Sequence, residues 1–107
     1  MSMSLKEISN QFLLKQLGID DVQTIESIYD EFCLSFRRNL ENAENALGQS
    51  DWNSLATAAH TLKGDCAMVG LTEMSAAAKG LQEQAKARDA AGCRTIIDDL
   101  NRLFNAH

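Results

Sequence analysis

The sequence contains no proline, so no residue locks φ or deletes an amide donor, and helices can run without an enforced kink. Average usage would have placed about five prolines in a chain of this length. No stretch approaches the roughly eighteen consecutive apolar residues of a spanning helix. The first ten residues, MSMSLKEISN, lack the basic region and apolar run of a secretory leader, so neither export nor membrane insertion is expected. Positive charge is scarce: 10 Lys and Arg stand against 15 Asp and Glu, for a net charge of −5 and a pI near 4.8. That balance argues against nucleic acid and anionic membrane as partners, since both need a basic face, and favours a protein partner. Cysteine is limited to Cys33, Cys66 and Cys93. Their odd number, wide spacing and lack of CxxC pairing fit core residues in a reduced, cytoplasmic setting better than a disulfide framework.

What is present is the composition of one soluble domain. The 107 residues are 45% apolar and 23% charged, enough to bury a core without disulfides or metal, and a single domain over residues 1–107 is expected. Ser4 and Glu7 have capping-box spacing ahead of Leu5, Ile8 and Phe12, predicting a short first helix that ends by Gly18. Asp20 with Gln23 gives a second start signal. From there Val22, Ile25, Tyr29, Phe32, Phe36, Leu40, Ala43 and Leu47 recur at steps of three and four, as far as Gly48. Asp51 caps a third segment, in which Leu55, Ala59, Leu62, Cys66 and Val69 form the apolar series before Gly70. Leu71, Met74, Ala78, Leu81 and Ala85 mark a fourth, and Asp89 caps a fifth with Cys93, Ile96, Ile97, Leu100, Leu103 and Phe104. Short connections force neighbours antiparallel. The predicted fold is all-α, an antiparallel up-down four-helix bundle with a short additional N-terminal helix as a lid.

One histidine sits on the wrong face to be core. At about 100° per residue the apolar series of the third segment spans roughly an 80° arc, and His60 lies about 140° from its centre, facing solvent. Its neighbours on that side, three, four and seven residues away, are Asn53, Ala56, Thr57, Lys63, Gly64 and Ala67. A surface helix normally fills its outer face with Glu, Lys and Arg, and a mid-helix glycine costs about 1 kcal/mol relative to alanine. Two explanations of the small residues are open: close packing of another helix against Gly64, or a flat platform that lets a partner reach the imidazole. Under the second, neutral His60 serves as nucleophile and Lys63, one turn along, neutralises the oxygens of a transferred group.

The stretch Ala59-His60-Thr61-Leu62-Lys63-Gly64, followed by Gly70 and Met74 and preceded by the Asp51-Trp52 turn, resembles the histidine-containing phosphotransfer (HPt) domain family. Phe32, Leu40, Ala46 and Leu47 look like that family's preceding helix, and Ala78 and Leu81 like its following one, so the likeness covers about residues 25 to 88. The resemblance implies a phosphorelay intermediate: His60 as phosphoacceptor, Lys63 stabilising the phosphoryl group, and Gly64 leaving room for the partner. Ala56, Thr57 and Ala67 join Gly64 as partner-docking positions. It also implies receiver domains of response regulators and of a hybrid histidine kinase as partners, with the catalytic groups on the partner. Asp65, where the family usually has a small residue, and Gln82, where a glutamate commonly follows the leucine, depart from the pattern.

No nucleotide-binding glycine loop and no second carboxylate cluster are present, so neither ATP binding nor autokinase activity is expected, and no cofactor is implied. A metal-binding bundle would need paired E-x-x-H ligands, and the second histidine is His107 at the C-terminus. Phe36, Arg37, Lys79 and Gln82 are further docking candidates, although Phe36 fits the core and Arg37 and Lys79 fit ordinary solvated charges. The rival reading is a helical adaptor that docks receiver-type partners without phosphoryl transfer and tolerates His60→Gln. A free-standing, monomeric shuttle is the expected state.

Overall fold

A computed structural model describes residues 3–105, which form five α-helices and no strand. The helices are α1 (Leu5–Gln16), α2 (Val22–Gly48), α3 (Trp52–Met68), α4 (Thr72–Lys86) and α5 (Ala90–Asn105). His107 lies outside the described residues. Each of α2 to α5 packs on its sequence neighbour, and α5 closes back against α2, which makes the expected four-helix bundle; α1 packs on α2.

Most of the start signals act as read. Ser4 and Glu7 form a reciprocal capping box, with the Glu7 amide donating to Ser4 Oγ at 3.1 Å. Asp51 accepts from the Ser54 amide and Asp89 from the Gly92 amide. For α2 the cap is Asp21 rather than Asp20: Asp21 accepts from the Gln23 amide at 3.2 Å and from the Thr24 hydroxyl at 2.7 Å. The helix starts at Val22, so the extended residue directly before its first turn is Asp21, and its two carboxylate oxygens serve Gln23 and Thr24 together. Leu71 precedes α4 without any side-chain cap and is instead buried.

The three turns between bundle helices share one geometry. In each, an amide donates to the carbonyl five residues back: Asp51 to Ala46, Leu71 to Cys66 and Asp89 to Gln84. The residue before that donor is left-handed in every case, namely Ser50 (φ 54), Gly70 (φ 77) and Arg88 (φ 57). This is the six-to-one closure that ends helices abruptly and satisfies their last carbonyls.

The core runs the length of the bundle, through Phe36, Leu55, Leu62, Met74, Leu81 and Ile97. Phe36 stacks on Phe104 of α5 with centroids 4.6 Å apart, and the Arg37 guanidinium lies 5.2 Å above the same ring. Val22 departs from the expected apolar series: it is 66% exposed. The cause is length. With 27 residues against 17 in α3, α2 is longer by about 15 Å at 1.5 Å per residue, so its first turns overhang the bundle. α1 covers part of that overhang.

Candidate functional site

α3 has two edges and one free face. Leu55, Ala59, Leu62 and Cys66 are fully buried, as the helical wheel requires, and Ala58 is buried as well, because α2 and α4 both flank the helix and widen its covered arc. His60 is exposed on the face between those two flanking helices. Thr57, Gly64 and Ala67 are exposed with it, while Ala56 and Lys63 are half-buried. The residues expected to form the platform therefore do share one surface.

The packing explanation for Gly64 fails. A Cβ built on Gly64 meets no atom within 4 Å, so no neighbouring helix requires a glycine there. Gly70 is the opposite case, with a left-handed φ of 77° and a virtual Cβ that would clash with the Phe12 side chain of α1. Gly70 is structural; Gly64 is open space beside His60.

A shallow depression of about 330 Å³ is lined by Ala56, Thr57, His60 and Gln82. Gln82 comes from α4 and is half-buried, so the departure from the family pattern stands beside the imidazole. A larger depression of about 480 Å³ lies between α2 and α3, bordered by the carboxamides of Asn39, Asn42, Asn45 and Asn53. It is lined by neither imidazole nor thiol and shares only Thr57 with the His60 depression, so the chemistry is not centred there.

Polar neighbours that would compete at His60 are engaged elsewhere. The Thr57 and Thr61 hydroxyls donate back to the carbonyls of Asn53 and Thr57. Asp65 points to α2, where its Oδ2 accepts from the Ser35 hydroxyl at 2.7 Å. The ion pairs among the described residues, Arg94 with Glu44 and Asp98 and Arg102 with Asp99, involve α2 and α5 only, which leaves the Lys63 ammonium without a carboxylate partner. The Lys63 carbonyl accepts from the Ser75 hydroxyl at 3.0 Å, tying the backbone under the platform to α4.

Buried thiols are inert by comparison. Burial, with the nearby Asp65 charge, pushes the Cys66 thiol up to about 12, and burial also raises Cys33 and Cys93. Thiolate is the reactive form, so none of the three is a nucleophile at neutral pH. Among the described residues no three His, Cys, Asp or Glu side chains converge in a way that could hold a metal ion, and no helix is long and apolar enough to cross a membrane.

Comparison with known proteins gives one match. A family model described as an Hpt domain matches residues 27–106, which takes in α3 to α5 whole and most of α2. No curated protein and no solved structure matches.

Proposed function

This chain belongs to the Hpt domain family, and from that premise we propose that it accepts a phosphoryl group on His60 from a receiver-domain aspartate and passes it to another response regulator. Members of the family are phosphocarriers of two-component phosphorelays that interact with receiver domains. The observation that carries the assignment to His60 is the exposed imidazole beside a glycine whose side-chain position is empty.

Transfer is a displacement at phosphorus. The lone pair of one imidazole nitrogen attacks the aspartyl phosphate, the new N–P bond forms, the P–O bond to the aspartate breaks, and the carboxylate leaves with the bonding pair. The other ring nitrogen keeps its proton through the step. Gln82, on the rim of the same depression, is placed to orient the ring by accepting from that N–H, and as a neutral amide it does so without repelling the phosphoryl oxygens. The Lys63 ammonium, free of any carboxylate, neutralises the developing charge on those oxygens. Ala56, Thr57, Gly64 and Ala67 leave the approach low enough for in-line geometry.

The chain acts as one unit over residues 1–107, as a monomer in the cytoplasm, and needs no ATP site because the phosphoryl group arrives already activated on the partner. Its donor is the receiver of a hybrid histidine kinase. The test is labelling of the intact chain by phosphorylated receiver domains, with His60→Gln as control. Label that is stable in alkali, labile in acid and absent from His60→Gln supports the carrier; a His60→Gln chain that still fulfils the pathway in cells turns the reading into that of an adaptor.

A further inference from the structure

Three cysteines and four methionines give the chain its sulfur, and the fold treats them unequally. Cys66, Cys93 and Met74 are buried in the bundle, and Cys33 and Met3 are half-buried. Met68 closes α3 and is 72% exposed; Met1 lies outside the described residues. A thiol reacts with peroxide as its thiolate, and burial holds all three cysteines in the thiol form, Cys66 pushed up to about 12 and Cys33 and Cys93 raised. A thioether has no proton to lose, so access alone sets its reactivity. The thiols that ordinarily meet an oxidant first are therefore protected here, and the sulfur that stands in open solvent is that of Met68.

Met68 also sits where a change of polarity has consequences. His60, Gly64 and Met68 follow one another at four-residue steps along α3, all exposed, which puts Met68 about 12 Å along the axis from His60. A protein interface of ordinary size covers about 800 Å² per partner, a disc of about 16 Å radius, so a receiver centred on His60 covers Met68. The thioether borders an apolar depression of about 360 Å³ together with Leu13, Leu17, Ile28, Phe32 and Val69. A sulfoxide at that point carries a strong S–O dipole, whose water must be stripped before a partner can close over it.

We propose that Met68 is a reversible oxidation site that throttles phosphoryl transfer, with hydrogen peroxide as the oxidant. The proposal rests on the phosphocarrier reading. A sulfur lone pair attacks one peroxide oxygen, the S–O bond forms as the O–O bond breaks, and the departing hydroxide takes the proton from the transferred oxygen and leaves as water. Sulfur is oxidised by two electrons and the peroxide is reduced by two. A methionine sulfoxide reductase, with a dithiol as reductant, removes the oxygen as water and restores the thioether. His60 takes no part in either step, so the oxidised chain loses affinity for receivers and keeps the chemistry of its imidazole.

The test treats the intact chain with graded hydrogen peroxide, maps the added oxygen by peptide mass spectrometry, and measures initial transfer rates against the concentration of a receiver domain that labels the chain. The expected result is one oxygen on Met68 before any other sulfur is oxidised. The half-saturating receiver concentration should rise about fivefold or more, with the rate at saturation changed by less than about twofold and full reversal by the reductase. Met68→Leu should keep the wild-type half-saturation and lose the response to peroxide, whereas Met68→Gln, polar like the sulfoxide, should show the raised value without it. Circular dichroism verifies the helix content of both variants. Labelling of His60 by phosphoramidate, a donor too small to reach Met68, should be the same in every sample. First oxidation at another sulfur, a response that persists in Met68→Leu, or a Met68 sulfoxide that leaves half-saturation unchanged overturns the site while the carrier reading stands. A wild-type chain that no receiver labels overturns both.

Discussion

Two glycines in neighbouring turns of the chain carry opposite meanings. Gly64 sits in mid-helix with empty space where a Cβ would be, whereas Gly70 has a left-handed backbone and Phe12 against it. Gly64→Ala should therefore stabilise the fold by about 1 kcal/mol in urea denaturation while slowing transfer from a receiver, because the methyl group stands in the partner's approach. Gly70→Ala should destabilise it by about 2 kcal/mol or more, from left-handed strain together with displacement of Phe12. A Gly64→Ala chain that is less stable would mean that the glycine serves packing after all. The sequence made His60, Lys63 and Gly64 legible through a run of small residues on a polar helix face. It left Asp65 and Gln82 as unexplained departures, because their meaning depends on what α2 and α4 place opposite them: Ser35 for Asp65 and the His60 depression for Gln82.

At the scale of helices, apolar periodicity located all five segments, and the capping residues placed most of their starts. The errors fell where periodicity has no information about neighbours. Val22 continues the apolar series but overhangs the bundle, and Ala58 lies outside the expected arc but is covered because two helices flank α3. The turns are more uniform than their residues suggest, since only one of the three left-handed positions is glycine and the others are Ser50 and Arg88. A non-glycine residue there costs about 1–2 kcal/mol, part of which glycine returns through the entropy of the unfolded chain. Ser50→Gly and Arg88→Gly should each raise stability by about 0.5–1 kcal/mol, read as a shift in the urea midpoint at unchanged slope. No change in either variant would show that local hydrogen bonding already offsets the strain.

For the molecule as a whole, stability rests on the core between the helices, and its acid–base behaviour follows from what is buried there. Leu62→Ala, at a fully buried position, should cost about 2–5 kcal/mol. Cys66 has an ordinary value of 9.0 and is pushed up to about 12 in the fold, first by burial and then by Asp65. The unfolded chain therefore releases this proton at lower pH than the folded one, so the contribution is fully present below pH 9.0 and is lost as pH rises toward 12. Unfolding free energy should fall by up to about 1.4 kcal/mol per pH unit across that window, and Cys66→Ala should flatten the slope. The central proposal is independent of that titration: His60, exposed on α3, is loaded and unloaded by receivers. The most direct measurement is a pulse and chase: label the chain from one phosphorylated receiver, isolate it, and add a second, unlabelled receiver. The account predicts acid-labile label on His60 that leaves for the second receiver's aspartate, and no label at all on His60→Gln. Label that resides on another residue, or that equals wild type in His60→Gln, would contradict it.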